Sequence, residues 1–354
     1  MAQNESQSEE QALHEAMLYE KLDGQRVRCH LCGHECTIQA GKFGICCVRQ
    51  NVAGKLVTLN YGWLVAANVD PIEKKPLFHF LPGSTSLSVA AAGCNFQCSF
   101  CQNWQISQSP RTGKAEVGEK VQPIQIVQSA QEQRCPSISY TYTEPTVYFE
   151  LAYETARLAR ERGIQNVFVS NGFLTPLAVR TIAPYLDAIN VDLKAFRDQT
   201  YRTVMKARLQ PVLDCLRALV AERVWVEITT LVVPEMNDSP QELGDIAKFI
   251  AGELGPDVPW HVSRFHGDYK MTRVGPTPME SLQRACELGR QAGLHYVYQG
   301  NVPPGPGPHA PGSDTYCPQC DALLIRRAGF SVTANNLRAG QCPSCGTAIA
   351  GVWE

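Results

Sequence analysis

The sequence predicts an α/β protein built on a parallel sheet, with a small cysteine-rich preface before it and a metal-binding module after it. Three observations carry this reading. Seven short apolar runs recur between residues 86 and 302, with longer, largely helical segments between them. Most of the fifteen cysteines fall in closely spaced groups. One of those groups, reading GCNFQCSFCQNW, stands directly after the first apolar run.

With 354 residues, a formal net charge of -2 and 44% hydrophobic residues, the chain is long enough for one large domain with appendages. That charge gives no reason to expect bulk attraction to nucleic acid or acidic membranes. The N-terminus is acidic and polar with no apolar leader core, and no apolar run is long enough to span a bilayer, so a cytoplasmic protein is expected. Cysteines grouped as CxxC in such a chain argue for metal sites over disulfides. The expected divisions are 1–84, 85–302 and 303–354.

In chain order, Met1 to Asp23 is polar, with Leu13, Met17, Leu18 and Leu22 near helical spacing, which predicts a short surface helix. Next comes RCHLCGHECTIQAGKFGICC. Here Cys29, Cys32, Cys36 and either Cys46 or Cys47 lie among Gly33, Gly41 and Gly44, glycines that let a backbone turn tightly round a metal. Structural zinc and an auxiliary iron–sulfur cluster both accept four thiolates, so the spacing leaves the metal open. Strand-like pieces between Leu56 and Pro82 then lead into the main domain.

The seven runs are Ser86 to Ala92, Ser137 to Thr143, Val167 to Ser170, Ala188 to Leu193, Trp225 to Val233, Trp260 to Phe265 and His295 to Val302. Pro145 to Arg162 illustrates the intervening helices. It has proline in its first turn, apolar residues at Tyr148, Leu151, Ala152, Thr155 and Leu158, and a stop at Gly163. Strand then helix, repeated about six times, implies right-handed crossovers and a parallel sheet, open or rolled into a partial or full barrel. In such folds the loops after the strands form one functional rim. That rim would collect the cysteine loop, Glu144, Asn171, Lys194, Pro234 to Asn237, His266 to Met271 and Asn301 to Gly307.

The chain closes with Cys317-x2-Cys320 and Cys342-x2-Cys345, in the knuckle form CPxC, which predicts a zinc-ribbon-like module. The Pro/Gly-rich stretch from Asn301 to Ser313 is its expected linker. Cys135, Cys215 and Cys286 read as plain buried thiols.

Cys94, Cys98 and Cys101 are different in kind. A metal centre normally takes four protein ligands, and no fourth cysteine follows until Cys135. Three thiolates on a four-iron cluster leave one iron open, and an open position is where a substrate or cofactor binds.

CNFQCSFC, with Phe100 before the last cysteine, resembles the cluster motif of radical S-adenosylmethionine (SAM) enzymes. The chain is similar to the pyruvate formate-lyase activating enzyme branch, and its flanking features resemble the radical enzyme of the AmmeMemoRadiSam system. Those features are the early cysteine set, YTEPTVYFE, SNGF, INVDLK, TTLVVPEMND, RFHGDYKM, YVYQGNVP and the terminal CPxC pair. The resemblance implies a partial (β/α)6-type radical SAM barrel in which Cys94, Cys98 and Cys101 hold a 4Fe-4S cluster whose open iron is chelated by SAM. It implies cofactor-binding roles for Glu144, Ser170, Asn171, Asp192, Lys194 and His266, although Tyr142-Thr143-Glu144 lacks the paired glycines of the relatives' acidic turn. It further implies a low-potential donor of flavodoxin or ferredoxin type and hydrogen abstraction from a protein or peptide. A small-molecule substrate is the alternative.

Simpler roles stand beside these. Glu144 could serve only its helix N-terminus, Asp192 and Lys194 could be an ion pair at a strand end, and His266 a loop histidine. Trp104, Tyr140, Tyr142, Tyr148 and Phe173 are candidate lining aromatics for which packing is the plainer role. A reading from another class is a zinc-ribbon adaptor that recruits a partner or nucleic acid through Arg326, Arg327 and Arg338.

Overall fold

The computed structural model describes residues 13–302 and 312–354. Its centre is an eight-stranded sheet of β1 (Ala66–Pro71), β2 (Thr85–Ala90), β3 (Ser137–Tyr140), β4 (Gln165–Ser170), β5 (Ala188–Asp192), β6 (Trp225–Val232), β7 (Trp260–Arg264) and β8 (Val297–Gly300). The strands lie side by side in chain order; β2 to β8 are parallel and β1 runs antiparallel against β2. Each of the seven apolar runs overlaps one parallel strand. The sheet is open among the described residues, since β1 and β8 are its two edges.

Burial on both faces explains why the strands read as continuous apolar runs rather than alternating ones. Ile138, Val167, Phe168, Ile189, Val191, Ile228 and Val262 are all buried. Some polar residues inside the sheet pair with one another, as where the hydroxyls of Ser86 and Ser139 meet at 2.6 Å across β2 and β3.

Six main helices cover the sheet: α1 (Pro123–Glu132), α2 (Phe149–Arg160), α3 (Pro176–Ile182), α4 (Leu209–Ala221), α5 (Pro240–Phe249) and α6 (Met279–Gln291). Thr175 caps α3 by accepting from Ala178 N, and Ser239 caps α5 by accepting from Glu242 N; each is followed by proline at the first helical position. In α2 the buried residues Phe149, Ala152, Ala156 and Ala159 form one stripe at helical spacing. A 3₁₀ turn, Pro145–Tyr148, precedes α2, so the expected helix begins one tight turn late.

The expected N-terminal helix is not formed within its described part. Tyr19–Leu22 instead pairs antiparallel with Arg26–Cys29, and His14–Glu15 pairs with Lys55–Thr58. Apolar residues at Leu18 and Leu22 fit a short hairpin as well as a helix, and long-range pairing decides between them. Residues 1–12 of that segment lie outside the described residues, as do 303–311 of the expected linker.

At the other end, Thr315–Tyr316, Leu323–Ala328 and Ser331–Asn335 form a small antiparallel sheet. This module docks on the amino-terminal side of the main sheet, away from the rim. Arg327 Nη2 donates to Phe78 O at 2.7 Å, and His79 bridges Ala350 O at 2.7 Å and the Tyr298 hydroxyl at 2.6 Å. Glu227, near the start of β6, accepts from the backbone N–H groups of Phe78 and His79 and pairs with His261. Arg327 is fully buried, which removes it from the exposed basic patch that an adaptor reading required.

Candidate active site

The loop after β2 carries Cys94, Cys98 and Cys101 at the carboxyl end of the sheet. It begins at Gly93, whose φ of +118° suits glycine and whose absent side chain leaves room for Val48 and Val147. Its backbone is tied to the segment after β5: Gln97 N donates to Met205 O and Ser99 N to Val204 O. Phe96 N lies 3.3 Å from Cys94 Sγ, the Ser107 hydroxyl 3.4 Å from Cys101 Sγ, and Asn171 Nδ2 3.7 Å from Cys94 Sγ. Donors aimed at sulfur stabilise thiolates and tune any centre they bind. Burial pushes the free Cys98 thiol up to about 12 and Cys94 upward as well. A bound metal would supply the positive charge that converts them to thiolates.

The donor set fits an open cluster better than a single ion. Four sulfurs around one tetrahedral zinc at about 2.3 Å lie ~3.8 Å apart. Among the described residues, only Cys317, Cys320, Cys342 and Cys345 gather three or more ligand atoms within 4.8 Å of one another. There Cys317 and Cys345 are 3.6 Å apart, and Cys320 and Cys342 3.7 Å. The three rim thiols do not all lie within that distance of one another.

Glu144 lies where β3 turns toward α2, fully engaged and buried. Its Oε1 accepts from the Thr146 N–H, the Thr146 hydroxyl and the Ser170 hydroxyl, and its Oε2 accepts from Asn171 N at 2.8 Å. Burial raises its pKa, against the lowering effect of these four donors. The carboxylate therefore staples the turn after β3 to the turn after β4. Asn171 then reaches the cysteine loop, donating to Asn95 Oδ1 at 2.7 Å. Asn95 Nδ2 is buried without a protein partner, a donor held beside Cys94.

At the end of β5, Lys194 Nζ pairs with Asp192 Oδ2 at 2.7 Å. Burial opposes the ammonium, but Asp192 and Cys98 outweigh it, so the Lys194 pKa is raised and the charge is kept beside the cysteine loop. Asn237 Nδ2 holds the Lys194 carbonyl at 2.7 Å, and Tyr201 accepts from the Lys194 N–H. The loop after β7 folds over the cysteines. His266 Nε2 lies 2.9 Å from Gln102 Nε2, Lys270 N donates to Ser99 O, and Tyr269 stacks on Trp104 with centroids 5.0 Å apart.

The structure thus brings Cys94, Cys98, Cys101, Glu144, Ser170, Asn171, Asp192, Lys194 and His266 to one rim. Of the candidate aromatics, Tyr140, Tyr148 and Phe173 are buried packing, while Trp104 is partly exposed beside the site. Sequence reasoning missed Asn95 and Gln102, although both adjoin motif cysteines. It also missed Arg111, which donates to Cys94 O at 3.2 Å and to Ile45 O at 2.7 Å and had no local signal at all.

The N-terminal set stands close by. Cys29, Cys32, Cys36 and Cys46 line one cavity with Leu31, Ile38 and Val147. Cys47 is not among the residues that line this cavity, and its sulfur lies 3.8 Å from Arg111 Nη1.

Comparison with known proteins is consistent with this geometry. The radical SAM superfamily model matches residues 89–250. An uncharacterised protein of Methanocaldococcus jannaschii is 45% identical over 340 residues, covering 95% of this chain and 99% of its own length. The (2S)-3-sulfopropanediol dehydratase activating enzyme of Klebsiella oxytoca is 26% identical over 169 residues, 44% of this chain and 53% of that enzyme. A 7-carboxy-7-deazaguanine synthase of Thermococcus kodakarensis is 28% identical over 130 residues, 32% of this chain and 50% of that enzyme.

Proposed function

From the match of residues 89–250 to the radical SAM superfamily model, we propose that the chain is a radical SAM enzyme of activating-enzyme type, working on a protein or peptide. One observation carries this: three thiols in the loop after β2, faced by the Glu144, Asn171, Lys194 and His266 segments at the carboxyl rim. In this reading Cys94, Cys98 and Cys101 hold a 4Fe-4S cluster and leave one iron for SAM. When bound, the cluster and SAM would supply reductive cleavage to a 5′-deoxyadenosyl radical, which abstracts hydrogen from the substrate.

The chain's own residues provide the setting for that chemistry. Asn171 and Phe96 N orient and stabilise the Cys94 sulfur. Glu144 fixes the two turns that line the cofactor, with the Asn95 amide free to donate. Lys194 sets a fixed positive charge near Cys98. The His266 to Met271 loop lies on the cysteine loop, where it would limit water. The reductant would be a low-potential donor of flavodoxin or ferredoxin type, and the setting cytoplasmic. The C-terminal module would hold zinc, its four sulfurs already at single-ion spacing. Likeness to the AmmeMemoRadiSam radical enzyme rests on the motifs, and the divisions 1–84, 85–302 and 303–354 follow the cysteine sets. The main sheet nonetheless borrows β1 from the first segment.

The similarity to a 7-carboxy-7-deazaguanine synthase keeps a small-molecule substrate as the second reading. Anaerobic reconstitution followed by reduction tests the shared chemistry: SAM should yield 5′-deoxyadenosine, and Cys98→Ala should yield none. An iron-free protein, or an active Cys98→Ala variant, would sink both readings. Deuterium passing into 5′-deoxyadenosine from a labelled protein, and not from small metabolites, would favour the first.

A further inference from the structure

The cavity behind the rim holds a second cysteine set whose spacing differs from that of the C-terminal module. Cys29, Cys32, Cys36 and Cys46 all border it, at points brought together by the hairpin Tyr19–Leu22/Arg26–Cys29 and the turn at Gly44. A side-chain carbon at Gly44 would stand 3.3 Å from Ile38 Cδ1 and in ordinary contact, at 3.8 Å, with both Cys36 Sγ and Cys46 Sγ, so this turn runs alongside two of the sulfurs. Yet the four thiols do not converge as the C-terminal four do within 4.8 Å. Zinc needs about 3.8 Å between sulfurs, whereas a cubane holds its thiolates several ångströms further apart because they cap different irons.

We propose that Cys29, Cys32, Cys36 and Cys46 bind a second 4Fe-4S cluster, closed by four thiolates, rather than zinc. The chemistry of the cavity supports a negatively charged cluster. Arg49, fully buried, directs Nη1 at Cys29 Sγ from 3.3 Å, and its Nε has no protein partner. Leu31, Ile38 and Val147 supply an apolar wall that shields a cluster from water. Four thiolates leave no iron open, so this centre cannot chelate SAM and its role differs from that of the rim triad. The two sites are neighbours: His34, which borders the cavity, contacts Asn95 O through Nε2 at 2.9 Å, and Arg111 joins the Ile45 carbonyl to that of Cys94. The contrast with the C-terminal set is independent of the function proposed above; only the likeness to the rim triad rests on it.

Metal and sulfide analysis of the full chain after anaerobic reconstitution tests this. The wild type should carry about eight iron and eight sulfide, with one zinc. A Cys94→Ala/Cys98→Ala/Cys101→Ala variant should keep about four iron and a four-cysteine cluster spectrum that SAM does not perturb. A Cys32→Ala/Cys46→Ala variant should lose about half of the iron, and if it fails to fold, the triple variant decides alone. Two zinc per chain, or a triple variant without iron, would overturn the proposal. Were the rim triad to bind no cluster, the wild type and the triple variant would each retain about four iron, which separates failure of the functional reading from failure of this one.

Discussion

The side-chain amide of Asn171 donates to Asn95 Oδ1 at 2.7 Å and stands 3.7 Å from Cys94 Sγ, joining the end of β4 to the cysteine loop after β2. Two segments more than seventy residues apart in sequence are held in register by this contact. Replacing Asn171 with Ala should strand the buried Asn95 carbonyl and cost about 1–3 kcal/mol. Urea unfolding should show the loss, and iron retention on anaerobic gel filtration should fall. Asn171→Asp should be worse for iron, because it sets a carboxylate beside the Cys94 thiolate.

Glu144 offers a sharper discrimination. Its oxygens receive four donors from Thr146, Ser170 and Asn171. Glu144→Gln turns one oxygen into a donor facing other donors, so the variant should lose about 1–3 kcal/mol of stability as well as SAM affinity. A variant of unchanged stability that binds SAM more weakly would instead mean that the carboxylate meets the cofactor directly. Chemical denaturation paired with equilibrium SAM binding separates the two.

The ion pair of Arg49 and Glu150 is almost wholly buried, and Glu150 also accepts from Met17 N at 2.7 Å. Glu150→Gln leaves a guanidinium buried without its counter-charge, at a cost of about 3–5 kcal/mol. Arg49→Met with Glu150→Leu should recover much of that stability, since removing both charges removes the desolvation penalty. The same double variant should hold less iron at the neighbouring cysteines, because Arg49 no longer faces Cys29.

His79 predicts a pH dependence for the docking of the C-terminal module. Burial holds its pKa down to about 4, with Glu227 acting in the opposite direction. A depressed base binds fewer protons folded than unfolded, so the stability it supports is full above the ordinary histidine value near 6.5 and is lost as pH falls toward 4. The loss should total on the order of 3 kcal/mol. Hydrogen exchange around Tyr298 and Ala350 should quicken on acidification, and His79→Gln should flatten the pH profile.

The strands, their alternation with helical segments and the order of the rim were legible in the sequence because each depends on local period. Buried parallel strands read as short apolar runs, and Pro145 in a first turn with a stop at Gly163 marked the helix after the second run. The cysteine groups were equally plain, since their metal-binding meaning lies in spacing of a few residues. The N-terminal hairpin was misread because four apolar positions fit two periods, and pairing with Arg26–Cys29 is not local information.

By itself, then, the sequence determined the α/β class, the three cysteine sets and the loops that could meet at one rim. Only the tertiary structure decided that Cys317, Cys320, Cys342 and Cys345, among the described residues, gather within 4.8 Å of one another. It also put Cys46 rather than Cys47 on the cavity that Cys29, Cys32 and Cys36 line, buried Glu144 among four donors and set Arg49 against Glu150 across 101 residues. These are distances between side chains brought together by packing, and packing depends on the whole fold, whereas the signals for strand, helix and metal knuckle are each complete within a few residues.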